Sequence, residues 1–219
     1  MRISVVTGFA LASLVSAMTA GAQQQATPVT PAGPTAAAAP ADPNAWRIDP
    51  GHSDISFSIR HFVSRVRGTF GRWAGTIVVD TMDITRGSVD VTIQATSIDT
   101  QNENRDNDLR SANFFEIEKY PTITFRSTRV EGRKDDLTVT GDLTIRGVTR
   151  PVVLKGRYLG VTAPDQRGTR RMGFEASTTI NRLDYGVTWN RAVEGGGVML
   201  GDDVRIDIVL EAMKAPPRP

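Results

Sequence analysis

From Ile55 onward the chain repeatedly alternates apolar and polar positions with a period of two. Ile55, Phe57 and Ile59 alternate with Ser56, Ser58 and Arg60. The same rhythm runs through Trp73 to Val79, Val89 to Ala95, Ile123 to Phe125, Leu137 to Ile145, Met172 to Ile180 and Val204 to Leu210. A residue pair repeats every 180° along an extended chain, so each run gives a strand with one apolar and one polar face. The segment from Val152 to Leu159 adds a further strand with a less regular pattern. Turn-forming residues punctuate the runs at Asp135-Asp136, Arg146-Gly147, Pro164-Asp165 and Gly195-Gly196-Gly197. About eight strands with few helices between them predict an all-β antiparallel sandwich or barrel. Two short helices interrupt the pattern. One is predicted around Arg105 to Leu109, just before the aromatic pair Phe114-Phe115, and a second over His61 to Val66.

An eight-stranded barrel has room inside for its own side chains or for one small ligand. Small inward residues (Gly75, Ala95, Gly141, Ala176, Thr178) stand among large ones (Phe57, Phe125, Phe174, Leu143). That mixture suits a hollow interior and equally suits ordinary packing around a taper, so periodicity leaves both open.

The first 45 residues read differently. Arg2, an apolar stretch from Ile3 to Val15 and the Ala20-Gly21-Ala22 motif form a secretory signal peptide over residues 1–22. The apolar stretch is too short for a membrane span, and no other segment is long or apolar enough for stable transmembrane insertion. Residues 23–45 hold five prolines, eight alanines and Val29 as the one bulky apolar residue. Such a segment cannot bury enough surface to offset its ordering entropy and reads as a disordered Ala/Pro-rich tether. The folded domain is expected over residues 46–214, and the expected location is periplasmic or secreted, after cleavage near Ala22.

Composition narrows the chemistry. With no cysteine among 219 residues, disulfides, thiolate metal sites, cysteine nucleophiles and a lipidated cysteine anchor are excluded. Twenty-six Lys and Arg against 24 Asp and Glu leave a net charge of +2, without the basic excess of a nucleic-acid-binding protein. The two histidines, His52 and His61, lack a G-x-S-x-G elbow and a third ligand at metal-binding spacing, and read as structural. The triple glycine is not followed by the Gly-Lys-Ser/Thr of a phosphate loop. Glu116 and Glu118 read as a solvated loop. No catalytic residue, metal or cofactor is expected. Six arginines, Arg60, Arg110, Arg146, Arg150, Arg182 and Arg191, fall at strand ends or in loops. If gathered at one barrel mouth they would suit an anionic head group, though surface ion pairs account for any one of them equally well or better.

An ordered set of motifs carries a resemblance. Trp46-Arg-Ile-Asp49 with His52-Ser53 is followed by Phe57-Ser-Ile-Arg-His61, then Gly68-Thr-Phe70 and Gly75. Leu109 to Phe115 and Tyr120-Pro-Thr-Ile-Thr-Phe125 come next. Gly141 to Thr149, Ile180 to Gly186 and Asp203-Val-Arg-Ile206 complete the series. In this order, across the whole expected domain, they resemble the YceI-like family of exported polyisoprenoid-binding proteins. The resemblance implies an extended lipocalin-like barrel whose apolar pore takes an isoprenoid lipid of the polyprenyl or quinone type. It implies no catalytic residues. The matching wall candidates are Phe57, Ile59, Phe125, Leu143, Ile145, Phe174, Ile180, Ile206 and Ile208, with Phe114 and Phe115 as a lid. A homodimer stays open as a further partnership. Two rival readings also stand: an enzyme on a lipid precursor using His52 or His61 as base, and a stress-linked interaction module with a packed core.

Overall fold

The computed structural model describes residues 42 and 44–214, with 195 excepted. The expected signal peptide lies outside the described residues, as does the tether apart from residues 42, 44 and 45. Ala45 belongs to the first strand and is buried, so the fold begins one residue earlier than its expected boundary.

Eleven strands and one α-helix make up the fold. The strands are β1 (Ala45–Ile48), β2 (Asp54–His61), β3 (Ser64–Phe70), β4 (Trp73–Val78), β5 (Ser88–Gln94), β6 (Ile98–Asp99), β7 (Thr122–Arg133), β8 (Asp136–Ile145), β9 (Val148–Val161), β10 (Arg170–Asn181) and β11 (Leu200–Lys214). The helix α1 spans Glu103–Arg110. Eight strands close a ring in the order β1-β4-β5-β7-β8-β9-β10-β11, and β11 returns to β1. Every pairing is antiparallel, so the ring is a barrel without a free edge. β2 and β3 extend the wall beyond the ring. β11 makes this possible by its length: Ala212 and Met213 pair with β1, while Leu200 and Val204–Val209 pair with β2.

The break between β1 and β2 is stitched to β11 by backbone and hydroxyl groups. The Asp49 amide donates to the Glu211 carbonyl at 2.8 Å. Ser53 Oγ donates to the same carbonyl at 3.2 Å and accepts from the Glu211 amide at 2.8 Å. Asp49 caps the intervening 3-10 turn by accepting from the Gly51 amide at 3.1 Å.

The expected helix over His61 to Val66 is not formed. His61 faces Ser64 in register, and Phe62-Val63 is a two-residue hairpin turn leading into β3. The sequence pattern was misleading because the turn lacks the Asn-Gly or Asp-Gly signature of such hairpins. The hairpin between β8 and β9 is signalled by its glycine: Arg146 and Gly147 have φ of 50° and 71°, both positive, and glycine suits the second position.

The other expected helix is present and longer than its apolar content suggests. Only Leu109 in α1 is a large apolar residue, so amphipathic burial does not hold it. Side-chain bonds do. Asn102 caps the N-terminus by accepting from the Arg105 amide at 3.0 Å. The buried Asp106 accepts from the Thr100 amide at 3.0 Å. Arg110 donates to the carbonyls of Thr96 and Ile98 at 3.0 and 2.8 Å. The helix and the Thr96–Thr100 segment are thereby one unit, which sets Phe114 and Phe115 against the barrel interior.

Candidate functional site

The inward faces of the strands enclose a cavity of about 350 Å³. A single water needs roughly 15 Å³ on the same measure, so the space is more than twentyfold larger than a packing defect. On β8 its wall runs from Leu137 to Ile145 and on β11 from Leu200 to Leu210. Eight residues along a strand cover about 26 Å, or about 20 Å along a barrel axis once strand tilt is included. The cavity is therefore elongated.

The wall has two halves of different character. On β4, β5, β7 and β8 the inward residues Ile77, Val91, Ile93, Ile123, Phe125, Leu143 and Ile145 are all buried against one another. On β10 and β11 the inward residues Phe174, Ala176, Thr178, Val204, Ile206, Ile208 and Leu210 remain partly exposed although they point inward. They face empty space. Both walls border the hollow; the β10–β11 side leaves more of its apolar surface open to it, and the opposite side is the more tightly packed.

All eleven residues named from the sequence line this cavity. Phe57, Ile59, Phe125, Leu143, Ile145, Phe174, Ile180, Ile206 and Ile208 come from strands, and Phe114 and Phe115 from the segment after α1. Phe114 packs with Ile59, Val187 and Leu200 in a separate buried cluster. Its ring lies 5.3 Å from that of Trp189. Phe115 stands edge-on to Phe70 at 6.0 Å. The cavity continues along further residues that the alternation marks as inward, including Val89, Val130 and Leu154. Of the five small inward residues, only Ala176 and Thr178 border the space. A Cβ on Gly141 would come within 2.5 Å of Phe125, and one on Gly75 within 2.9 Å of Ile48 and Val91. Those two glycines admit neighbouring side chains rather than a ligand.

The arginines do not gather into a mouth. Arg110 is spent on loop carbonyls. Arg146 donates to the Gly186 carbonyl at 2.9 Å and to Glu116 at 2.8 Å. Arg150 donates to the Asp184 carbonyl at 3.3 Å. Arg182 borders the cavity but is buried and fully engaged: it donates to the carbonyls of Gly201, Val187 and Trp189 at 2.8, 2.6 and 2.9 Å, and to Asp202 at 3.1 Å. Burial draws its pKa below the usual arginine value, partly opposed by Asp202. Its role is to fix the segment from Val187 to Trp189. Arg60 and Arg191 make no ion pair among the described residues.

Polar groups at the cavity are few. Tyr185 is 2% exposed, borders the space and makes no hydrogen bond through its hydroxyl among the described residues. Burial first, and then the neighbouring Asp184 charge, push its pKa up to about 12. The phenol therefore stays neutral at any physiological pH and can donate one hydrogen bond to a guest. His61 borders one end of the cavity and is itself exposed.

A polar cluster that the sequence does not reveal sits at the β1–β2 break. His52 Nδ1 and Asp49 lie 2.8 Å apart. Asp49, His52 and Glu211 bring potential metal-ligating atoms within 4.8 Å of one another. Arg171 from β10 already holds both carboxylates, at 3.3 Å from Asp49 and still closer to Glu211. The guanidinium thus supplies the cation that the carboxylates require. The His52 hydrogen bond is the main cause lowering the Asp49 pKa, ahead of the opposing cost of burial. Ser53 Oγ is committed to the Glu211 backbone, so His52 has no hydroxyl nucleophile poised beside it in the manner of a catalytic triad. Residues 52, 171 and 211 are far apart in sequence, and only β11 pairing with both β10 and the β1–β2 corner unites them.

Residues 46–212 match the YceI-like domain family. The UPF0312 protein of Staphylococcus epidermidis is 41% identical over 167 residues, which are 76% of this chain and 95% of that relative. Among solved structures, BcnA of Burkholderia cenocepacia is similar at a TM-score of 0.66 and 22% identity, over 75% of this chain and 99% of BcnA. A polyisoprenoid-binding domain of Saccharophagus degradans, implicated in plant cell wall breakdown, is similar at 0.55 and 19% identity, over 78% of this chain and 98% of that domain. Both share the barrel architecture described above. With the family match covering the domain from β1 to β11, the chain belongs to the YceI-like family.

Proposed function

We propose that this protein binds an isoprenoid lipid, polyprenyl or quinone-type, in the barrel cavity and carries or stores it after export to the periplasm. The observation that carries the reading is the partly exposed apolar face of β10 and β11 turned toward an internal space. A folded chain gains nothing by leaving such an internal face unpacked unless a guest completes it. Transfer of each CH₂ from water to that wall is worth about 0.8 kcal/mol, so a long tail binds tightly without charge. The similarity to the polyisoprenoid-binding domain of Saccharophagus degradans supports the class of guest. Catalysis has no part in the reading, because the cavity holds no nucleophile and base in contact among the described residues.

Native mass spectrometry of the mature protein purified from its exported compartment tests this, with organic extraction of any bound molecule. A stoichiometric isoprenoid mass is the expected result. A protein that carries none and takes up no added polyprenol or quinone overturns the reading. The enzyme reading predicts that a His52→Ala, His61→Ala protein loses a measured turnover while keeping its fold and guest.

A further inference from the structure

At the end of the cavity bordered by His61, the β2–β3 hairpin presents a surface that turn chemistry does not explain. Its two turn residues are Phe62 and Val63, which are 51% and 88% exposed. Phe62 has a φ of 51°, a left-handed conformation that a bulky residue adopts only at a cost. Glycine is preferred at the first position of a hairpin turn with that conformation. A folding requirement would select glycine or asparagine here, and the chain instead keeps two large apolar side chains in water.

More apolar surface lies beside them. The Phe62 amide donates to the Met199 carbonyl at 2.7 Å, placing the turn against the segment that contains Val198, itself 42% exposed. That segment pairs back through Ala192 and Val198, and the Met199 amide donates to the Arg191 carbonyl at 2.8 Å. Trp189, 37% exposed, both borders the cavity and stacks on Phe114.

The charge carried by the hairpin itself has one sign. Between Ile55 and Val79 the chain holds Arg60, Arg65, Arg67 and Arg72 and no acidic residue. Arg60 and Arg65 are direct cross-strand partners, and Arg67 faces Ser58 two positions further along. By the alternation of β2 and β3 all three lie on the outer face, and all are exposed. Like charges directly opposite one another destabilise a strand pair. Among the described residues, Arg60, Arg65, Arg67 and Arg191 make no ion pair and no side-chain hydrogen bond. Of the nearby acids, Asp202 is taken by Arg182, Asp203 is exposed on β11 next to the partner of Ile59, and Glu194 is exposed on the segment beyond Arg191, so three arginines of the hairpin outnumber the acids left to them.

We propose that the β2–β3 hairpin tip, with Val198 and Trp189, docks this end of the barrel onto a membrane surface bearing anionic phospholipids. Phe62 and Val63 enter the interfacial layer, Trp189 lies at head-group depth, and Arg60, Arg65 and Arg67 meet the lipid phosphates. Docking sets the cavity end against the bilayer from which a lipid guest enters, so the proposal rests on the reading of the cavity as a lipid site. A bilayer fits better than a protein partner because the surface is a small convex apolar tip ringed by arginine, not an extended flat patch.

Sedimentation of purified protein with protein-free vesicles tests it. Vesicles of phosphatidylethanolamine with phosphatidylglycerol are compared with phosphatidylcholine alone. Binding to the anionic vesicles, weakened by salt, is expected. Changing Arg60, Arg65 and Arg67 together to Gln should weaken it roughly fivefold per arginine, on the order of a hundredfold in all. A Phe62→Gly, Val63→Asn protein should lose at least about tenfold. Because glycine suits the first position of a turn whose positive φ falls there, its thermal midpoint should hold or rise, which separates lost docking from lost folding. No partition of the wild-type protein onto anionic vesicles overturns the proposal, and that is also the outcome if the tip serves a protein partner. Undiminished partition of the Gly-Asn protein, or equal binding to phosphatidylcholine, overturns it as well. Uptake of a fluorescent polyprenol from an ethanol dispersion reads the cavity separately. Docking without uptake refutes the lipid cargo and upholds docking; uptake without docking does the reverse.

Discussion

Replacing Ala176 by Phe distinguishes a hollow barrel from a packed one by the sign of its effect. Ala176 borders the cavity, faces Gly156 on β9 and Ile208 on β11, and is partly exposed while pointing inward. The backbones of β9 and β10 approach closely at Gly156, where a Cβ would lie 2.0 Å from the Glu175 carbonyl, so a ring at position 176 has its space in the cavity alone. In a filled core this substitution is overpacking and costs about 1–3 kcal/mol. In the hollow it buries a new apolar ring worth about 1.5–3 kcal/mol, less about 0.5–1 kcal/mol of rotamer entropy. The lipid-free protein should therefore gain about 1 kcal/mol, read as a higher urea midpoint with an unchanged slope. The guest should lose room equal to about one five-carbon isoprene unit. At about 0.8 kcal/mol per carbon this is about 4 kcal/mol, close to a thousandfold in Kd, measured by displacement of a fluorescent polyprenol. A variant that is destabilised by more than about 1 kcal/mol and binds the probe as tightly as the wild type would refute the placement of the hollow against β10 and β11.

Three further outcomes follow from the same geometry. Tyr185 has a raised pKa of about 12 when folded against about 10 when unfolded, so the unfolded chain releases the proton first. Stability should fall as pH rises from about 10 to 12, by on the order of 2–3 kcal/mol, and Tyr185→Phe should flatten that alkaline slope in chemical denaturation. Asp49 has a lowered pKa, so its contribution is present above the unfolded value near 4 and is lost as pH falls through the folded one. Asp49→Asn should cost about 1–2 kcal/mol at pH 7 and shrink the wild-type advantage in acid denaturation below pH 4. Leu143, 7% exposed on the packed wall, should not tolerate a carboxylate. Leu143→Asp loses about 2–3 kcal/mol of burial, and its buried carboxyl should titrate upward, so its thermal midpoint should be lower at pH 7 than at pH 4.

Most of the barrel is legible in the sequence because a half-buried strand leaves a period-two trace. The exceptions have physical causes. β1 holds only four residues, too few for alternation to register. β3 reads Ser-Arg-Val-Arg-Gly-Thr-Phe, with glycine at an inward position, because Phe57 lies where a side chain on Gly68 would be; a Cβ there would come within 2.6 Å of its ring. The inward parity of Phe57, Phe125, Leu143 and Ile206 is legible, and these residues line one cavity. What alternation does not carry is which wall is packed and which faces space, since Ile145 and Ile206 obey the same pattern. The arginines are equally opaque: Arg110, Arg150 and Arg182 bond to carbonyls supplied by distant segments, and nothing local to them announces it. The Asp49–His52–Arg171–Glu211 cluster is invisible for the same reason.

The asymmetry of the wall explains how a barrel can stay folded while part of its interior is empty. Empty space forfeits dispersion contacts, and that loss falls on residues such as Phe174 and Ile208 rather than on the whole core. The closed ladder, the packed β4–β5–β7–β8 wall and the stitched β1–β2 corner stabilise the fold independently of any guest. A guest that then completes the β10–β11 wall adds RT ln(1 + [L]/Kd), about 2.7 kcal/mol at a hundredfold excess over Kd. That term belongs to the same wall whose filling by a ring at position 176 should replace it. Lipid should therefore raise the unfolding midpoint of the wild-type barrel strongly and that of the Ala176→Phe barrel little. The guest and the new side chain are, on this argument, two ways of supplying one missing piece of core.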